Sequence, residues 1–261
     1  MAFASAPALA VNTSFTFDLN GTGTAGGGSS YGNYRTYQLS SGSGANKLTV
    51  NLRVSAWSWS GTTITNAFLG NNTASNGGLY DINRNEGSGA NNTHTIDNQS
   101  GYDFLLFQFD RNVQLTGVTA NAFSVAGSLD NDLTIGRSVS VTSSWNTAPT
   151  GLNGMSVSNM ASLFQAQKNI ASSTTGGTLD ANRVLNPGGS SIVTGKVWMI
   201  SASLVNTDKK IDGFKLDTLK VQTNTNMGIL GPIPEPATWA MMIVGFGAIG
   251  SAARRRKAIV A

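Results

Sequence analysis

Lys47-Leu48-Thr49-Val50-Asn51-Leu52-Arg53-Val54-Ser55-Ala56-Trp57-Ser58-Trp59 alternates apolar and polar side chains over its first ten residues. A strand turns successive side chains to opposite faces, so this stretch reads as a half-buried strand and not as a helix. Leu48, Val50, Leu52, Val54 and Ala56 share one face, and in strict alternation Trp57 and Trp59 take the other. The same period recurs at Phe15, Phe17 and Leu19 within Ser14 to Leu19. Phe104 to Phe109 is almost wholly apolar, as a strand covered on both faces would be. Asp110-Arg111-Asn112 then reads as a hairpin turn before Val113, Leu115 and Val118. Ser138 to Val141, Lys196 to Leu204 and Phe214 to Val221 are the remaining expected strands, and one short helix is expected around Met160 to Ile170.

Glycine- and asparagine-rich stretches punctuate these runs at 21–28, 71–78 and 85–92. The expected fold is therefore all-β: a two-sheet antiparallel sandwich, jelly-roll-like, with a C-terminal hydrophobic helix. No repeat of propeller or solenoid period is present. The expected organisation is a signal-peptide remnant over 1–10, a β-sandwich domain over 11–223, a linker over 224–233 and a sorting tail with a transmembrane helix over 234–257. Ala8-Leu9-Ala10 fits a small-x-small cleavage site, although no basic stretch precedes it.

Composition narrows the function. Charged residues are 11% of the chain, against about 25% in an average protein. The formal charge of +4 is matched by Arg254, Arg255, Arg256 and Lys257 near the C-terminus, which leaves a nearly neutral body. No basic stripe remains to bind nucleic acid. With no cysteine, disulfides, thiolate nucleophiles and Cys-based metal sites are excluded.

The C-terminus has an ordered layout: Pro234-Glu235-Pro236, then Trp239-Ala240, then an uncharged run to Ala253, then the basic cluster. Trp239 to Ala253 spans 15 residues, about 22 Å as a helix, short of the roughly 30 Å hydrocarbon core. The basic cluster suits the cytoplasmic side, which leaves the body outside. This layout resembles the PEP-CTERM sorting signal in its PEPxxWA form, carried by substrates of exosortase in exopolysaccharide-making Gram-negative bacteria. The resemblance implies export, a transient stay in the inner membrane, processing by exosortase and a final place at the cell surface or in the medium. The sorting residues it implies are Pro234, Glu235, Pro236, Trp239 and Ala240, followed by the stop cluster Arg254 to Lys257.

Asp81, Asn83, Glu86, His94, Asp97, Asn98, Asp103 and Asp110 form the densest polar group in the body. The blocks Gly78-Leu79-Tyr80-Asp81, His94-Thr95-Ile96-Asp97-Asn98 and Tyr102-Asp103-Phe104 also resemble a recurring part of exosortase-dependent surface proteins. Glu86, Asp97 and Asn98, with loop carbonyls, suit a structural Ca²⁺, which takes about 6–8 oxygen ligands. The same side chains also suit turns and loop caps. Asp130-Asn131-Asp132 reads as a polar turn, and His94, the sole histidine, as a structural residue.

Two roles stay open at this level. One is a non-enzymatic surface or matrix protein that is structural or binds exopolysaccharide. The other is an extracellular glycosidase-like enzyme using Glu86 with an aspartate, because such chemistry needs a carboxylate pair. Trp57, Trp59, Trp145, Tyr31, Tyr34 and Tyr37 are either core residues or stacking platforms for sugar rings. No phosphate-cradling glycine loop is found between a strand and a helix.

Overall fold

The computed structural model describes residues 12–224, apart from 45–46, 88, 90–91, 142–143, 176–177 and 186–192. The chain divides into two compact units, Met1–Met227 and Gly228–Ala261, and all described residues belong to the first. The expected signal remnant (1–10), most of the linker and the whole tail lie outside the described residues.

In chain order the strands are β1 (Asn12–Asp18), β2 (Thr24–Gly26), β3 (Tyr34–Ser41), β4 (Leu48–Ser60), β5 (Thr63–Asn66), β6 (Phe68–Asn72), β7 (Gly78–Ile82), β8 (Ile96–Asp97) and β9 (Tyr102–Ala122). They continue as β10 (Ser124–Val125), β11 (Ser128–Leu129), β12 (Leu133–Ser138), β13 (Phe164–Ile170), β14 (Thr174–Thr175), β15 (Thr178–Leu179), β16 (Asn182–Val184), β17 (Gly195–Ala202) and β18 (Gly213–Asn224). Every pairing is antiparallel.

The antiparallel all-β expectation, a sandwich included, fits the structure, whereas the expected C-terminal hydrophobic helix is corrected: none of the described residues forms it. Fourteen strands form one hydrogen-bonded sheet. Among the described residues no helix is long and apolar enough to cross a membrane, and the one α-helix is Met160–Leu163. The expected helix around 160–170 therefore shrinks to four residues. Its remainder, Phe164–Ile170, is the edge strand β13, whose exposed polar side chains leave no apolar helical face.

The 21-residue strand β9 makes the sheet continuous. Its first half lies between β4 and β17, with Phe107 opposite Val54 on one side and Trp198 on the other. Its second half lies between β16 and β18, with Val118 opposite Arg183 and Leu219. Asp110-Arg111-Asn112 is thus not a hairpin turn. The register against β17 slips between Val197↔Gln108 and Gly195↔Val113, so the polar triplet forms an irregularity inside one strand. Such irregularities bend a strand and increase its twist. Asp110 is held there by the backbone and side-chain N–H groups of Asn51, at 3.1 and 2.7 Å.

The main core joins the two halves. It gathers Phe15 and Phe17 of β1, Val50 to Val54 of β4, Phe107 of β9, Trp198 of β17 and Leu219 of β18. Phe17 packs against Tyr37 and Phe109, with ring centroids 6.4 and 6.1 Å away. A second core lies on the other face of β4 and β9, where Trp57, Trp59, Phe104 and Leu106 meet Leu152, Met160 and Phe164. Both faces of the Phe104 to Phe109 segment are therefore covered, which accounts for its unbroken apolar run.

β7 approaches β18 at a single pair, Leu79↔Leu216. Gly78 makes the approach possible, because its φ is +128° and a Cβ would stand 2.2 Å from the Leu216 carbonyl oxygen. Gly78→Ala is expected to cost on the order of 3 kcal/mol from backbone strain and forced separation of the strands. Urea denaturation at constant slope would measure it. Loss below about 1 kcal/mol would mean the backbone relaxes freely.

Candidate metal centre

Four acidic side chains converge where β7, the 83–86 turn, β8 and the start of β9 meet. Carboxylate oxygens of Glu86, Asp97 and Asp103 all lie within 4.8 Å of one another. Asp81 of β7 faces the same group, and all three of those carboxylates act on its charge. Asp81, Asp97 and Asp103 are fully buried and Glu86 is 9% exposed.

Asn83 organises the cluster. Its backbone N–H donates to Glu86 Oε2 at 3.0 Å, and its side-chain amide donates to Glu86 Oε1 at 2.9 Å and Asp103 Oδ1 at 3.1 Å. Its own Oδ1 accepts from the Asn85 N–H, which closes the turn. Asp97 accepts from the Thr95 hydroxyl and the Gln99 N–H. Asp103 Oδ2 has no partner in full hydrogen-bond geometry, and neither oxygen of Asp81 has one. The nearby Trp57 backbone N–H only partly offsets the burial of Asp81.

Burial first, and then the neighbouring carboxylates, push these acids upward. Glu86 rises to about 9, with Asp103 and Asp97 adding to its desolvation. Asp97 rises to about 6 through burial, opposed by its two hydrogen bonds. Asp81 and Asp103 are held well above the ordinary carboxylate range for the same reasons. The donors are all oxygen, so the arrangement suits a hard cation over zinc or copper.

Of the expected ligands, Glu86 and Asp97 come together and Asn98 does not. Asn98 donates to Asp212 Oδ2 at 2.6 Å and accepts from the Asp212 N–H at 3.0 Å. Strand β8 ends at Asp97 and the chain bends at Asn98, so the two side chains serve different neighbourhoods. Asp103 and Asp81 lie with Glu86 and Asp97 instead. A second acidic group, Asp130, Asp132 and Asp212, lies on the Asn98 side. It has its own cation, since Lys210 Nζ stands 3.5 Å from Asp130 and 3.2 Å from Asp208. Asp130 also accepts from the N–H groups of Asn131 and Asp132.

Trp57 and Trp59 are buried in the second core, and Trp59 stacks on Tyr102 at 5.1 Å. Guanidinium groups cover the faces of Tyr34 (Arg53, 3.6 Å) and Tyr31 (Arg84, 4.4 Å). Trp57, Trp59 and Tyr37 are thus core residues, whereas Tyr31 remains 39% exposed. His94 stacks on Tyr80 at 6.3 Å. A groove of about 660 Å³ opens elsewhere, lined among others by Asn112, Arg137, Ser144, Thr194 and Lys196, with no carboxylate among the described residues that line it.

The family model of the PEP-CTERM protein-sorting motif matches residues 232–257. No curated protein matches the chain. The match takes in Pro234, Glu235, Pro236, Trp239, Ala240 and the basic run Arg254 to Lys257. The chain thus carries the sorting signal of an exported protein that passes through a membrane-anchored intermediate and is processed by exosortase.

Proposed function

We propose that the chain is an exosortase-sorted surface or matrix protein whose β domain is a structural, polysaccharide-contacting module and not an enzyme. One observation carries the second half. Glu86 is the sole glutamate outside Pro234-Glu235-Pro236, and both its oxygens are bound by Asn83 among buried aspartates. A glycosidase needs its two carboxylates on either side of an accessible sugar linkage, and this cluster is closed to one. The groove beside Arg137 and Lys196 supports contact with an anionic polysaccharide, since it brings two cations and several hydroxyl and amide groups to one open surface.

In cells with an active exosortase the mature protein should have lost its C-terminal segment, as intact-mass measurement would show. A product ending at Ala261 would sink the sorting half. Reducing-sugar release from extracellular polysaccharide that Glu86→Gln abolishes would sink the non-enzymatic half. Arg137→Ala and Lys196→Ala together should weaken co-sedimentation with anionic polysaccharide by roughly tenfold, about 1.4 kcal/mol.

A further inference from the structure

The acidic group of Asp81, Glu86, Asp97 and Asp103 gathers four buried or nearly buried carboxylates with no ion-pair partner among the described residues. Asp130 and Asp208 have Lys210, and Asp110 has Arg111 at 3.4 Å. Among the described residues, no lysine or arginine forms an ion pair with any of the four. Isolated buried carboxylates are among the most costly groups a fold can hold, and are normally paired or bound to metal. Asp81 is fully buried with neither oxygen in full hydrogen-bond geometry, the Trp57 N–H being only nearby, and Asp103 Oδ2 likewise lacks such a partner, with Ser58 and the Asp97 N–H close to its carboxylate. Asn83 meanwhile fixes Glu86 and Asp103 through outer hydrogen bonds, as groups behind metal ligands commonly do.

We propose that Asp81, Glu86, Asp97 and Asp103 bind one Ca²⁺ ion that clamps β7, the 83–86 turn, β8 and β9 together. Calcium–oxygen distances of about 2.3–2.6 Å place ligands on opposite sides of the ion up to about 5 Å apart. That span accommodates the 4.8 Å limit among Glu86, Asp97 and Asp103. Magnesium, at about 2.0–2.1 Å, would need a tighter shell of roughly 4.2 Å. The ion has a structural task, because β8 is two residues long and is tied to β18 only through Gly213↔Asp97 and Phe214↔Ile96. In a chain without cysteine it serves the purpose that a disulfide serves in other exported domains. Extracellular calcium modules work at about 10⁻⁴–10⁻³ M, so the clamp closes after export. The assignment does not depend on how the chain is sorted.

The test uses the full chain purified in detergent and melted in EDTA, in about 2 mM Ca²⁺ and in about 2 mM Mg²⁺. Calcium should raise the midpoint by roughly 5–10 °C, and magnesium by much less. Terbium should show emission sensitised by the nearby Trp57 and be displaced by calcium. Asp81→Asn should fold in EDTA, because it removes a like charge, and should lose the calcium shift. Glu86→Gln, on the turn and away from the strand pairing, should lose it too and decides the matter if Asp81→Asn does not fold. No calcium shift with no terbium emission would overturn the proposal. So would a full shift retained in both variants, or one equally large with magnesium.

Discussion

Phe107→Ala is expected to destabilise the domain by about 3–5 kcal/mol, the usual loss for a phenylalanine cut from a close-packed core. Phe107 is fully buried in the main core, and its backbone sits between β4 and β17, opposite Val54 and Trp198. Its ring has no route to solvent, and neighbours anchored in three adjacent strands cannot collapse into the vacated space. Domains of this size are stable by about 5–15 kcal/mol, so a third or more of the total is at stake. The midpoint should fall by roughly 10 °C. Val184→Ala is the control: Val184 is 84% exposed, and the change should stay within about 0.5 kcal/mol. Equal effects of the two substitutions would mean that the core is loosely packed around Phe107.

Stability should also fall as the pH rises from about 4 to about 8, and Asp212→Asn should remove a defined part of that fall. Asp212 is fully buried and pushed up to about 8, first by burial and then by Asp132 and Asp130. Its Oδ2 accepts from Ser203 N–H and Asn98 Nδ2, while Oδ1 has no partner and is free to carry a proton. Lys210 pairs with Asp130 and Asp208 instead. The sign follows from the raised value. The folded state keeps the proton up to about pH 8, whereas the unfolded chain releases it near 3.9. The stabilising contribution is therefore complete below about pH 4 and is lost as the pH climbs through the folded value. The difference in slope between wild type and Asp212→Asn should amount to a few kcal/mol between pH 5 and pH 9. Parallel pH profiles would show that Asp212 is ionised throughout.

Much of the fold is legible from one-dimensional pattern, and the failures share a physical origin. The alternation of Leu48 to Ala56 identifies β4, and its phase puts Trp57 and Trp59 in the second core without a bulge. The alternation of β1 and the apolar runs of β17 and β18 are equally plain. Asp110-Arg111-Asn112 misleads because a polar triplet inside a strand has the composition of a turn, and only Asn51 and the flanking pairings show that the chain runs on. Ser138 to Val141 was displaced similarly: β12 runs from Leu133 and ends at Ser138. In the site, Glu86 and Asp97 were readable as oxygen donors. Asn98 is also an oxygen donor by type, but the chain bends after Asp97 and delivers it to Asp212. Asp81 and Asp103 carried a signal of their own, since each is an acid next to residues that form buried strands. Their pairing with Glu86 and Asp97 is a product of tertiary structure and has no local mark.

The pairing of β1 with β18, from Asn12↔Asn224 to Asp18↔Thr218, joins the two ends of the described domain. β18 also borders β7, β8 and the second half of β9. A chain that emerges from a membrane N-terminus first can therefore make β1 early, but it must wait for its last strand before that strand's main-chain groups find their partners. Contacts of such sequence separation form late. β18 ends at Asn224, ten residues before Pro234. The body can close only when nearly all of it has been delivered, and at that moment the sorting signal is the next segment to arrive. If the chain is delivered N-terminus first, completion of the fold and arrival of the sorting signal fall at the same stage.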